Sequence, residues 1–292
     1  MNLLRPDLYP SFFSFAFAHC QPQRTVWGWS FRGAENLDVL HRNLLQTMMI
    51  RRRKEDVLEQ LPPKLRSVVL LDIERPAEYK LAQDNFLSWL RSQGKSTLGA
   101  RRAEALVRLG YWLRLTAQLK FRSACSWIDT FLDSKEKLIC FGIHKNIVGG
   151  IHARYRGVKV DGSTPGKQRQ EAIDCFNKDP GTRILSGNLQ AAGVGWNATA
   201  CSSIAFLEFG WRPGDISQAE DRAHGLERGQ KGMPTNIYFL VARGTIEEDL
   251  IARVQRKQES LDKVLDGGAT ESSLDLLDQL MKELNCPAEV IS

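Results

Sequence analysis

The stretch Asp215-Ile216-Ser217-Gln218-Ala219-Glu220-Asp221-Arg222-Ala223-His224 concentrates side chains that could act on an anion. Gly214 and Asp215 suit a loop ending in a helix N-cap, which predicts a helix over about 215–225. Gln218, Ala219, Asp221 and Arg222 then fall within one or two helical turns. An arginine held this way beside carboxylates is ordinarily a surface ion pair. It can also be a phosphate ligand. Phosphoryl transfer develops charge on the transferred group, and a guanidinium supplies a fixed, planar, bidentate countercharge.

Three other stretches could do chemistry. Asp161-Gly162-Ser163-Thr164-Pro165-Gly166-Lys167-Gln168-Arg169 leaves a predicted strand and opens a predicted helix, with Ser163 or Thr164 as N-cap and Pro165 in its first turn. Amides at such a helix start bind phosphate, and Ser163, Thr164 and Arg169 can add donors. A plain capped turn would use the same residues. Gly187-Asn188-Leu189-Gln190-Ala191-Ala192-Gly193-Val194-Gly195-Trp196-Asn197 follows a buried strand, and its small residues allow close approach of a ligand or of neighbouring backbone. Gln93-Gly94-Lys95-Ser96-Thr97 looks like a phosphate loop and is not one. The motif needs a glycine five positions before Gly94, where Trp89 stands, and a strand before it, where a helix is expected.

The elements that must position these residues follow from periodicity. Residues 1 to about 35 are aromatic and carry scattered prolines, as irregular cover over a core. Apolar positions recur at helical spacing from Asn36 to Leu61, around the basic run Arg51-Arg52-Arg53-Lys54, until Pro62-Pro63 stops the helix. Ser67–Ile73 reads as a strand and 76–133 as helices. Then strands and helices alternate, the mark of a parallel α/β sheet. The strands are expected at 137–141, 158–160, 182–186, 203–208 and 235–241. A last helix opens at Thr245, where Thr245 and Glu248 have capping-box spacing.

With 292 residues, the chain is long enough to bury a sizeable core. A 42% apolar and 25% charged composition is that of a soluble globular protein. The net charge of +6 favours an anionic partner, nucleic acid first. The six cysteines form no Cys-x-x-Cys pair and read as reduced thiols, with no metal site. No apolar run approaches ~18 residues and no signal-peptide pattern opens the chain, so an intracellular protein without a membrane partner is expected, in a bacterial or phage-host cytoplasm or a eukaryotic nucleus.

Several of these stretches resemble blocks of the Swi/Snf-type DNA-dependent ATPases, in that family's order. Asp215 to Gln230 is similar to motif VI, whose pattern runs Gln-Ala-x-Asp-Arg-x-His-Arg-x-Gly-Gln. Residues 187–197 resemble motif V, and Met49 to Lys64 the block between the two ATPase lobes. Residues 1–35 resemble the segment after the first lobe in the annealing-helicase-like branch. The fold so implied is α/β, a RecA-like parallel sheet flanked by helices, with an N-terminal helical inter-lobe region. The expected divisions are 1–133 inter-lobe and helical, 134–267 the C-terminal RecA-like lobe, and 268–292 an appended helix.

The resemblance implies residue roles. Arg222 is the arginine finger. The family's second arginine falls on Gly225, so Arg228 takes that role only if the helix ends early and the chain turns back. Gly193, Gly195, Gln218 and Asp221 border the ATP cleft. Gly162, Ser163, Thr164, Arg169, Asn188 and Trp211 belong to the track for double-stranded or branched DNA. No Gly-x-x-x-x-Gly-Lys-Ser/Thr occurs, so ATP and Mg2+ are expected only together with a P-loop RecA-like lobe, in cis or in trans, and the chain alone is expected to be inactive. Two other readings stay open: a non-catalytic nucleic-acid-binding or regulatory module from a split or truncated gene, and the second lobe of an RNA helicase. The inter-lobe block and the Glu208…Trp211…Pro213 phrase argue against the RNA helicase.

Overall fold

The computed structural model describes residues 5–25, 28–31, 35–47, 49, 62–92, 99–190, 196–210, 212–224 and 234–265. It divides into one compact unit of residues 54–251 and another of 1–53 with 252–292. Most of the basic inter-lobe run, the false phosphate loop, Gly193, Gly195, Trp211, Arg228 and the 268–292 tail lie outside the described residues.

In the smaller unit, helix α1 (Phe12–His19) precedes a hairpin of β1 (Gln23–Thr25) and β2 (Gly28–Ser30), then α2 (Leu37–Thr47). Ser11 and Ser14 cap α1 reciprocally. The Tyr9 hydroxyl and His19 Nε2 pair at 2.9 Å in its interior. The aromatics do not form the irregular cover expected: Phe12, Phe13 and Phe17 lie on α1, are exposed, and meet Phe31 edge to face.

The larger unit is built on one six-stranded parallel sheet. Its strands are β3 (Lys64–Leu71), β4 (Leu138–Gly142), β5 (Val158–Val160), β6 (Ile184–Asn188), β7 (Ser203–Phe206) and β8 (Thr235–Ala242), in the order β3-β8-β7-β4-β6-β5. Central β4 is buried throughout, as a strand covered on both faces must be. On one face α4 (Gly99–Leu132) and α5 (Lys145–Tyr155) bring Ala124, Cys125, Ile128, Ile147 and Ile151 onto Leu138 and Cys140. Side chains alternate along a strand, so Phe141 points to the opposite face. There Phe141, Phe206 and Phe239 form a file across β4, β7 and β8, with centroids 5.6 and 5.0 Å apart. Helices α3 (Pro76–Ser92), α6 (Gly166–Lys178) and α7 (Pro213–Glu220) complete the set, with residues 246–251 of α8 (Ile246–Leu265).

Five local differences from the sequence expectation have physical causes. Strand β3 starts at Lys64, three residues early, because its eight-residue ladder with β8 runs from Lys64 and its charged side chains find carboxylates. Strand β6 starts two residues late, because Thr182 belongs to a turn in which Asp179 accepts from the Gly181 amide and the Thr182 hydroxyl. Pro165, not Ser163 or Thr164, occupies the N-cap of α6. The capping box at Thr245 is displaced by one residue. Glu248 accepts from the Gly244 amide at 3.0 Å, and Gly244 adopts φ +67°. Finally, α7 runs from Pro213 to Glu220 and ends before Arg222. Helix α5 runs through Gly149-Gly150. Gly150 is required there, since a Cβ would lie 2.7 Å from the Phe121 ring.

Candidate phosphate and DNA sites

Arg222 sits in the turn that stops α7. The Arg222 and Ala223 amides reach back only three residues, to Ala219 and Glu220, which tightens the chain into a turn. The Arg222 carbonyl is thereby offered outward and accepts from the Ala198 amide at 2.8 Å. Its Nη1 donates to the Trp196 carbonyl at 3.2 Å, and the guanidinium lies 5.9 Å from the centroid of the Trp196 ring. Trp196 in turn packs on Phe141 in the phenylalanine file. The two stretches read as motifs V and VI therefore meet through two contacts at Trp196, and Ala198, just beyond the first stretch, adds a third. Burial pushes the Arg222 pKa below its ordinary value, and the Asp221 charge pulls it back. Gln218, four residues before Arg222, is exposed. The early end of α7 meets the first condition for Arg228 to act beside Arg222.

The Asp221 carboxylate faces Lys64, whose Nζ donates to it at 2.9 Å. Beside it Glu220 is almost fully buried and accepts from both Lys64 and Arg66. His224 is buried and its Nε2 pairs with the Pro62 carbonyl at 2.8 Å. Sequence reasoning passed over Glu220, Lys64 and Arg66. The available signal was weak: Lys64 and Arg66 are two residues apart, and so share one face of a strand.

The Asp161–Arg169 turn is organised around Asp161. One of its carboxylate oxygens accepts from the Ser163 amide at 2.9 Å, the Ser163 hydroxyl at 2.6 Å and the Thr164 hydroxyl at 3.2 Å. The other pairs with Lys159 at 3.1 Å. Arg169 donates from Nη2 to the Thr164 carbonyl at 3.1 Å. These side chains shape the helix start from within, which leaves backbone amides to face an anion. No side chain caps α6, and Gly166, Lys167 and Gln168 in its first turn are exposed, as are Gly162 and Ser163. Lys167 is a further cation at that position, not singled out by the sequence reading.

The Ser163 hydroxyl, with Lys159 and against the effect of burial, holds the Asp161 carboxyl well below the usual carboxylate range. A depressed pKa stabilises the fold above the unfolded value of about 3.9 and is lost as pH falls toward the folded one. Asp161→Asn should therefore cost on the order of 1–3 kcal/mol at neutral pH. Urea midpoints should show that deficit closing as the pH is taken below about 4. A deficit independent of pH would contradict this account of the turn.

At the carboxyl ends of β4, β6 and β7, the Asn188 amide donates to the Ile143 carbonyl at 2.7 Å and accepts from the Gln190 amide at 3.0 Å. Glu208 accepts from the Ile143 and His144 amides at 2.8 and 2.9 Å and pairs with His144 Nδ1 at 2.5 Å. Asn188 and Glu208 thus fasten the loops that leave this end of the sheet, where open α/β sheets place their ligands. Among the described residues, no group of His, Cys, Asp and Glu could hold a metal ion.

The helicase conserved C-terminal domain matches residues 120–226. The DNA annealing helicase and endonuclease ZRANB3 of Mus musculus is 33% identical over 277 residues, covering 91% of this chain and 25% of that protein. The SWI/SNF-related matrix-associated actin-dependent regulator of chromatin subfamily A-like protein 1 of Drosophila melanogaster is 30% identical over 270 residues, covering 88% and 34%. The chain thus spans about a quarter to a third of the length of these relatives. The Sulfolobus solfataricus SWI2/SNF2 ATPase core in complex with dsDNA superposes with a TM-score of 0.58 at 20% identity, covering 97% of this chain and 61% of that one. The C-terminal domain of a Sulfolobus solfataricus SWI2/SNF2 ATPase gives 0.56 at 18% identity, covering 78% and 100%. The parallel sheet with flanking helices is the RecA-like fold of these lobes.

Proposed function

We propose that the chain carries a C-terminal helicase lobe of the SNF2 type and is the arginine-finger half of an ATP-dependent motor that moves on double-stranded DNA; its likeness to the helicase conserved C-terminal domain and to relatives of that type supports the first part. The observation that carries this reading is the seating of Arg222. Its carbonyl lies on Ala198 and its guanidinium on Trp196, so a cation is held at a defined place beside the loop that leads out of the 187–195 stretch. The donor set fits a nucleotide. A guanidinium offers only donors, in a planar fork, and Gln218, exposed four residues before Arg222, can add an amide. ATP supplies the transferable phosphoryl group when a P-loop lobe, in cis or in trans, binds it with magnesium. Arg222 then faces the charge that develops on that group, and Arg228 is a second candidate for the same task.

The DNA track in this proposal is the α6 start with Gly162, Ser163, Thr164 and Arg169, together with Asn188 and Trp211. Its chemistry is phosphate contact without base readout, so binding should be indifferent to sequence and steeply salt-dependent. The log–log slope against salt should be about −0.9 per phosphate contacted. Lys167→Ala should reduce that slope by about one phosphate's worth. Arg169→Ala combined with Trp211→Ala should weaken binding to every duplex alike. Titration of the full chain with duplex DNA from low to moderate salt tests this. Affinity flat with salt, or unchanged in these variants, would remove the track from the proposal.

A further inference from the structure

Glu220 is a carboxylate with 1% of its side-chain surface exposed, two residues before Arg222. Arg66 grips it as a fork, Nε to Oε1 at 2.8 Å and Nη2 to Oε2 at 2.6 Å. Lys64 donates to it at 3.1 Å and to Asp221 at 2.9 Å. His224, on the far side of Arg222, is tied to the Pro62 carbonyl. The turn that carries Arg222 is therefore clipped on one side to Lys64 and Arg66 of β3 and on the other to Pro62, just before that strand. Strand β3 cannot slip to relieve that clip, because its ladder with β8 is in register from Lys64 to Leu71.

A buried ion cluster contributes little net stability compared with apolar residues of the same volume. What it does impose is geometry. A bidentate arginine–carboxylate pair accepts one orientation, and an apolar contact would accept several. The cluster also sits where geometry matters. Arg222 is not on a regular helix, since α7 has ended, and a tight turn by itself leaves the side chain's direction loosely defined.

We infer that Glu220 is a positioning residue: clipped by Lys64 and Arg66, it sets the direction of Arg222, and it makes that setting depend on the strand that emerges from the inter-lobe block. The inference deepens the proposed function and rests on it for its consequence.

The test uses the full chain, without nucleotide or second lobe. One readout is the Arg222 Nε–H resonance, assigned by its loss in Arg222→Lys and sensitive to the Trp196 ring. The other is hydrogen exchange of the Ala198 amide, whose acceptor is the Arg222 carbonyl. In Glu220→Gln the Arg222 resonance should move toward its solvent-exposed position. Ala198 exchange should rise at least about tenfold while the Cys140 and Leu185 amides of the central sheet stay unchanged. Arg66→Lys, which keeps the charge and loses the fork, should give a partial shift and serves if Glu220→Gln folds poorly. Two results would overturn the inference. One is an unchanged Arg222 resonance and Ala198 exchange in both variants. The other is equal acceleration at Cys140 and Leu185, which would make Glu220 a general stabiliser. Neither readout depends on catalysis. A reconstituted enzyme indifferent to Arg222→Ala would sink the proposed function and leave the positioning result standing.

Discussion

Lys120→Met should destabilise the lobe by about 3–5 kcal/mol. Lys120 is fully buried in α4, and its ammonium donates to Glu247 at 2.6 Å and to the Leu240 carbonyl at 2.5 Å. Glu247 is equally buried in the first turn of α8 and also accepts from the Ala242 amide at 2.9 Å. Removing the lysine leaves a carboxylate without its countercharge in a dry interior, which is the costly way to break such a pair. Burial already pushes the Glu247 carboxyl above its ordinary value with Lys120 beside it, and losing Lys120 pushes it further. A raised carboxyl pKa means that the folded state binds the extra proton. The deficit should therefore be full above the folded pKa and shrink as pH falls toward about 4.3. Lys120→Met with Glu247→Leu should recover much of the loss. Urea unfolding of the three proteins across pH checks this. A single variant that costs no more than the double would show that the pair does not behave as a buried charge pair.

Much of the fold was legible because periodicity and breakers agree. Strands β4, β5 and β8 stand within a residue of where the pattern puts them, since the short apolar runs 138–141 and 237–241 are flanked by turn residues or the starts of helices. The misplaced boundaries are those where a side chain overrides the pattern. Asp179 draws Thr182 into a turn, Glu208 turns away to bind the Ile143 and His144 amides, and Glu220 lets Lys64 and Arg66 sit in a strand. The Glu208 and Glu220 partners are out of reach of a local reading, because those contacts join residues 64 or more apart. The candidate site was legible in a different way. Arg222 stood out through resemblance alone, as its residue chemistry is that of any surface arginine. That it would meet Trp196 and Ala198 is a tertiary contact between residues 24 or more apart, which no local pattern shows. The Asp161 turn shows the converse. Its residue types suggested phosphate donors, and the structure turns the Ser163 and Thr164 hydroxyls and one Arg169 nitrogen inward.

Arg222→Ala should lower the turnover number of a completed enzyme by roughly 10³-fold or more, with a much smaller change in nucleotide affinity. The argument is one of differential binding. The guanidinium meets little extra charge in the bound ground state and more in the transition state, so its loss falls on turnover. Arg222→Lys should be nearly as damaging, since an ammonium on a flexible stem cannot reproduce the fork or its seat over Trp196. Arg228→Ala separates two geometries. If the chain folds back after the early end of α7, its loss should resemble that of Arg222, and if the chain leads away, the loss should be slight.

The most direct measurement is DNA-stimulated phosphate release by this chain joined to a P-loop lobe, fused or in trans, with Arg222→Ala as the only change. A collapse of the turnover number at saturating ATP, with DNA affinity and nucleotide affinity close to those of the parent, is the predicted result. Turnover that survives Arg222→Ala in that DNA-stimulated enzyme would contradict the claim that this lobe supplies the arginine finger.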